Sequence, residues 1–106
     1  MSFGAAKAIS QQMSIVEDYD VLILDLSEVP YLGVTATLAI ENMVKEAYER
    51  RRTVYFIGAS GRVEHRLRKL KVVRRVLEQN PVHTRLEALE KGLAIVNQHR
   101  LHANDL

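Results

Sequence analysis

Val21-Leu22-Ile23-Leu24-Asp25-Leu26-Ser27-Glu28-Val29-Pro30-Tyr31-Leu32-Gly33-Val34-Thr35-Ala36-Thr37 is the stretch that decides the fold of this chain. Its first six residues are apolar apart from one acid. A continuous apolar run, rather than an alternating one, is expected of a parallel strand covered on both faces. From Val34-Thr35 the pattern changes to a helical period. Ala36, Ala39, Ile40, Met43, Val44 and Ala47 share one side, with Glu41, Lys45, Glu46, Glu49 and Arg50 on the other. A second strand is predicted over Thr53-Val54-Tyr55-Phe56-Ile57-Gly58, rich in β-branched and aromatic residues and closed by glycine. Strand, helix and strand at this spacing form a βαβ unit with a parallel sheet.

Working outward, a further helix is predicted after Gly61, with Val63, Leu67 and Leu70 inward and Arg62, Glu64, Arg66, Arg68 and Lys69 outward. Its period blurs over Lys71-Val72-Val73-Arg74-Arg75, which predicts a break there and a short further turn of helix. Asn80-Pro81 is a stop signal, and Val82-His83 has room for a very short strand. Thr84 then stands at a helix start with Glu87 three residues on, the spacing of a capping box. Leu86, Leu89, Leu93 and Val96 are the expected buried stripe of this last helix, and His102 to Leu106 its frayed tail. Upstream, Ser2-Phe3 reads as the end of a strand whose beginning is missing. Ala5 to Val16 reads as a helix with Ala5, Ala6, Ile9, Met13 and Val16 on its packed side. So abrupt a beginning suggests a piece of something longer.

The 106 residues leave room for one domain, residues 1–106, with one core. A hydrophobic share of 47% and a charged share of 26% are ordinary for a soluble globular chain. No stretch approaches the ~20 apolar residues of a membrane span, and no signal peptide opens the chain. With no Cys there is no disulfide, thiolate nucleophile or zinc-thiolate site. The four histidines, His65, His83, His99 and His102, have no nucleophile at an activating spacing. Asp25 and Glu28 form no recognisable acid–base pair. No metal set or cofactor motif emerges, and the expectation is a chain that is not an enzyme.

Three segments carry chemistry of a non-catalytic kind. The loop Tyr31-Leu32-Gly33-Val34-Thr35 delivers the chain into a helix start, where unpaired N–H groups suit an anion, a phosphorylated hydroxyl or a docked partner. The same residues also read as a turn at Gly33 and a cap near Thr35. The loop Gly58-Ala59-Ser60-Gly61-Arg62 lacks the spacing and lysine of a phosphate-binding loop. It reads first as a helix cap at Ser60 with Gly58 ending the strand, and second as a place where Ser60, Gly61 and Arg62 suit an anion or nucleotide phosphate. Finally, Arg66, Lys69, Arg74 and Arg75 belong to a basic segment that reads first as a solvated face, and second as a contact to lipid or another subunit. Between Arg62 and Arg75 no aromatic is interleaved, so nucleic acid is not expected.

At the strand–loop–helix segment the chain resembles the STAS domains, named from sulfate transporters and anti-sigma-factor antagonists. Leu24-Asp25-Leu26-Ser27-Glu28-Val29 is similar to that family's strand, and Tyr31-Leu32 stands in its aromatic-containing loop. Ser2-Phe3-Gly4-Ala5-Ala6 looks like the opening found in sulfate-permease (SulP) carriers. Thr84-Arg85-Leu86-Glu87-Ala88-Leu89 is similar to the start of the family's last helix. The resemblance implies an α/β fold: a mostly parallel sheet of about four strands, the first truncated, with helices packed against it. It places Gly33 at the family's Asp, Val34 at its first hydroxyl, Thr35 at its phosphorylatable hydroxyl and Ala36 at its Gly. Loss of that Asp weakens a phosphorylation switch at Thr35 and favours the transporter branch. The implied role is a regulatory domain of a SulP-family anion carrier of sulfate or bicarbonate, with bacterial bicarbonate carriers the nearest in form. It would act by docking, dimerisation or gating at the cytoplasmic face of the cell membrane. Its implied partners are the carrier's transmembrane domain, a second copy in a homodimer, and an anionic membrane surface. The alternative implied is a free-standing anti-sigma-factor antagonist switched near Thr35.

Overall fold

The computed structural model describes residues 20–104. The expected strand at Ser2-Phe3 and the helix over 5–16 lie outside them. Two strands, β1 (Val21–Asp25) and β2 (Thr53–Ile57), pair in parallel in the register Val21↔Thr53 to Asp25↔Ile57. The Leu26 amide extends the ladder by donating to the Ile57 carbonyl at 2.8 Å. Between them runs helix α1 (Val34–Glu49), and after β2 come α2 (Gly61–Arg68), α3 (Lys71–Gln79) and α4 (Arg85–Asn104).

Alternate residues of each strand point to opposite faces, and both faces find a cover. Leu22, Leu24, Val54 and Phe56 pack into one cluster with Ile40, Met43 and Val44 of α1, Val63 and Leu67 of α2, and Val73 of α3. Val21, Ile23, Tyr55 and Ile57 pack on the other side with Ala88 and Ile95 of α4. The βαβ expectation is therefore met, and the apolar run of β1 is explained by this double cover. Ala36, Ile40, Met43, Val44 and Ala47 are buried as their spacing predicts.

Four local expectations need correction. The helix break falls at Lys69-Leu70 rather than within 71–75. Leu70 takes an extended backbone (φ −88°, ψ 116°) and starts α3, a full helix of nine residues rather than a short turn. No Gly or Pro marks this break in the sequence. Val82-His83 forms no strand, so the described residues hold two strands. The stripe Leu86, Leu89, Leu93 and Val96 is not buried but between 38% and 65% exposed. Ala88, Gly92 and Ile95 face the sheet instead, with Val21 Cγ1 3.3 Å from where a Cβ on Gly92 would stand. Lastly, the helix continues through His102 to Asn104 instead of fraying from residue 102.

Two backbone positions hold this arrangement together. Gly58 has φ +75°, and a Cβ on it would lie 2.6 Å from Ser27 Cα. The end of β2 thus passes directly over the end of β1, and only glycine fits there. At the end of α1, the Arg51 amide donates to Tyr48 O and the Arg52 amide to Ala47 O. This is a Schellman closure whose left-handed residue is Arg51, φ +57°, where glycine is the usual choice. Asn80 follows α3 and its Nδ2 donates to the Val54 carbonyl at 3.1 Å, so the expected stop also anchors α3 to β2.

Gly58→Ala should destabilise the chain by about 2 to 4 kcal/mol, from left-handed strain plus the clash with Ser27. Urea unfolding followed by circular dichroism measures it. Arg51→Gly should do the reverse, stabilising by about 0.5 to 1 kcal/mol, because relief of the same strain outweighs the extra chain entropy of glycine. A destabilised Arg51→Gly protein in the same assay contradicts the assignment of that closure.

Candidate functional site

Parallel pairing sends the C-terminal ends of β1 and β2 to one edge, the edge where open α/β sheets place ligand sites. The loops leaving both strands meet there because Gly58 allows the contact with Ser27. The first loop turns tightly, with the Val29 amide donating to Leu26 O at 3.0 Å. It then enters α1 at Gly33, whose carbonyl accepts both the amide and the hydroxyl of Thr37, at 3.0 and 2.7 Å. Gly33 holds the N-cap position with no side chain to cap, and Thr35 leaves the first turn uncapped as well. The helix start at Val34-Thr35 is as expected. The cap expected from Thr35 or a neighbour is not made by a side chain, because Gly33 holds the N-cap position and Thr35 is the second residue of the helix.

Tyr31, Val34, Thr35 and Leu38 are all exposed on this rim, while Leu32, Gly33, Ala36 and Thr37 are buried beneath it. The loop thus presents a largely apolar ridge with the hydroxyls of Tyr31 and Thr35, set on a filled core.

Asp25 organises the opposite side of the edge. Its carboxylate accepts the Ser27 amide at 3.0 Å and the Ser27 hydroxyl at 2.6 Å, and it pairs with the Arg85 guanidinium at the start of α4. The hydrogen bond from the Ser27 hydroxyl, then that from its amide, then Arg85, hold the carboxyl below its ordinary value of 3.8. Asp25 is committed to these partners and is no base for Thr35. The neighbouring Thr84 hydroxyl accepts the Glu87 amide at 3.1 Å, one half of the expected capping box. The Glu87 carboxylate turns instead to Lys91, at 3.5 Å.

The second loop enters α2 through Ser60, which holds the N-cap position but makes no side-chain cap. Its carbonyl accepts the amides of Val63 and Glu64. Here the structure joins residues from all three segments singled out in the sequence. Tyr31 and Leu32 of the first loop, Gly61 and Arg62 of the second, and His65, Arg66 and Lys69 along α2 line one open cleft of about 510 Å³. Gly33, Val34, Thr35 and Ser60 do not line it. Arg74 and Arg75 lie apart on α3, where the Arg75 guanidinium stands 6.0 Å from the centre of the Tyr48 ring. His65, which the sequence marked only as lacking a nucleophile at an activating spacing, is the member that reading missed. Its place one turn along from Arg62 was the available signal.

With this geometry in view, the comparisons with known proteins agree on one family. The STAS domain model matches residues 1–89, and the chain belongs to that family. Among its relatives is the bicarbonate transporter BicA of Synechocystis sp., 44% identical over 99 residues, or 93% of this chain and 18% of the relative. BicA of Picosynechococcus sp. is 42% identical over the same shares. The chain therefore spans about a fifth of the length of the curated relatives it matches. Among the described residues, no helix is long and apolar enough to cross a membrane.

Because the Asp25 carboxyl sits below 3.8, its contribution to stability is complete above that value and fades as pH falls through the lower folded-state value. Asp25→Asn should therefore lower Tm by a constant amount above about pH 5, and the gap to the parent should close as pH falls below about 4. Thermal melts of both proteins from acid to neutral pH test this. A gap that persists undiminished into acid shows that Asp25 contributes by some means other than its charge.

Proposed function

We propose that this chain is the regulatory domain of a SulP-family secondary anion carrier, working by docking, dimerisation or gating rather than catalysis. Bicarbonate is the favoured cargo, from the likeness to the two BicA transporters, and its path would lie in the carrier's membrane part. The domain would sit at the cytoplasmic face of the membrane.

One observation carries the docking reading: large apolar side chains point outward although the core beneath them is already filled. Around the start of α1 these are Tyr31, Val34 and Leu38, and along α4 they are Leu86, Leu89, Leu93, Val96 and Leu101. The α4 row advances by three, four and three residues before Leu101, the spacing of a helix seam that packs against another helix. Exposed rows of this kind mark surfaces that meet other proteins. We assign the α1 ridge to the carrier's transmembrane domain and the α4 row to a second copy of the chain. Thr35 stands on the first of these surfaces without the acidic neighbour a phosphorylation switch would have, since Gly33 takes that place.

In the whole carrier, Val34→Asp combined with Leu38→Asp should lower bicarbonate uptake at least about fivefold, the effect expected when an interface anchor is lost. Both positions are exposed, so the Tm of the isolated 106-residue chain should stay within a few degrees of the parent. Leu93→Asp should abolish dimers in light scattering of that chain. Unchanged uptake and unchanged mass would remove the docking reading. Phosphate found on Thr35 by mass spectrometry after incubation with an anti-sigma-factor-type kinase and ATP would replace it with the switch reading.

A further inference from the structure

We propose that the cleft between the first loop and α2 is a binding site for a phosphate monoester, with its phosphate held by Arg62, Arg66 and Lys69 and its organic part laid on Tyr31 and Leu32.

The first observation is charge without an answer. Arg62, His65, Arg66 and Lys69 line the cleft together, and no carboxylate lines it with them. Among the described residues, none of the four side chains has a hydrogen-bond or ion-pair partner. Lys71 and Arg74 on α3 are unpaired too among the described residues but line no cleft with these four, and several other helix cations are answered by an acid. Glu41 pairs with Lys45, Glu46 with Arg50, Glu64 with Arg68 and Glu87 with Lys91, each four residues apart. Glu64, the acid within α2, is turned to Arg68 at 2.9 Å and so leaves the cleft side of the helix uncompensated. Arg62, Arg66 and Lys69 are spaced four and three apart and therefore project from one helical face.

The second observation is size and lining. A cleft of about 510 Å³ lies within the range of ligand sites, ~300 to 1,000 Å³, and is far larger than a bare phosphate. One wall is Tyr31, exposed at the rim, and Leu32, buried at the base. A doubly charged group with an apolar or aromatic substituent fits both halves. Arginine forks favour phosphate oxygens by bidentate hydrogen bonds, and Lys69 adds a point charge. A carboxylate or bicarbonate would satisfy one cation and leave the others and the apolar wall unused.

Two probes on the 106-residue chain test this: inorganic phosphate and phenyl phosphate, followed by amide chemical shifts and by calorimetry. Both should bind saturably and displace one another, shifting the Gly61 and Arg62 amides, and phenyl phosphate should bind at least about fivefold more tightly because its ring reaches Tyr31. Arg66→Gln with Lys69→Gln should weaken both about tenfold, the loss expected for charge-assisted hydrogen bonds. Arg74→Gln, an exposed cation outside the cleft, should leave both within twofold. Tyr31→Ala should remove the preference for phenyl phosphate while keeping phosphate itself. A lipid arm separates the source of the phosphate. Vesicles of phosphatidylglycerol that bind the parent, release it with phenyl phosphate and ignore the Arg66→Gln/Lys69→Gln protein identify a headgroup in the same cleft. Binding to phenyl phosphate but not to vesicles identifies a soluble ester. Absence of saturation up to about 20 mM, or equal loss in Arg74→Gln, overturns the proposal by reducing it to screening of a basic face.

Discussion

Parallel pairing of β1 with β2, sealed at its end by the close pass of Gly58 over Ser27, is the constraint on which the remainder rests. It delivers two loops to one edge, and the α1 ridge and the cleft sit on those loops or on the helices they start, with the α4 row apart from them. If a side chain stood at Gly58, the loops would be pushed apart. The wall of Tyr31 and Leu32 would then no longer oppose α2. The tertiary role of the glycine is thus to bring the cleft's two sides together rather than to touch anything in it.

The electrostatics follow from helix geometry. Most acids on the helices compensate a base one turn away, which fixes few groups firmly because such exposed pairs contribute little. Asp25 is held differently, by Ser27 two residues on and by Arg85 across 60 residues of chain, which pins the start of α4 to the end of β1. Against this background of local pairing, the unanswered charges on one face of α2 are set apart by lining a cleft together, an arrangement that the fold itself does not use.

Much of the fold was legible because β1, α1 and β2 each carry a strong pattern: a continuous apolar run, a helical period with few interruptions, and a β-branched strand. Asn80-Pro81 and Thr84 with Glu87 were legible as a stop and a start for the same reason. The last helix was misread through its leucines. Apolarity alone put Leu86, Leu89, Leu93 and Val96 inside, whereas the sheet accepts the smaller Ala88 and Gly92 at close range and leaves no depth for a row of leucines. The break at Leu70 was placed a few residues late because an extended leucine between two basic residues has no punctuation. Of the candidate site, the helix start at Val34-Thr35 and the basic character of α2 could be read directly. That Tyr31 and Leu32 face Arg62 and Arg66 could not, since some thirty residues separate them and only strand pairing closes that distance.

Gly92 has a meaning beyond its fit against Val21. A helix that rests on a sheet through its slimmest residues lies low, and its bulkiest ones must then crest on the far side like a keel. The molecule's stickiest outer line is therefore set by where a missing side chain falls on the inner one. In this chain, Gly92 and Ala88 bring the helix down onto Val21 and its neighbours, and five large hydrocarbon groups look the other way.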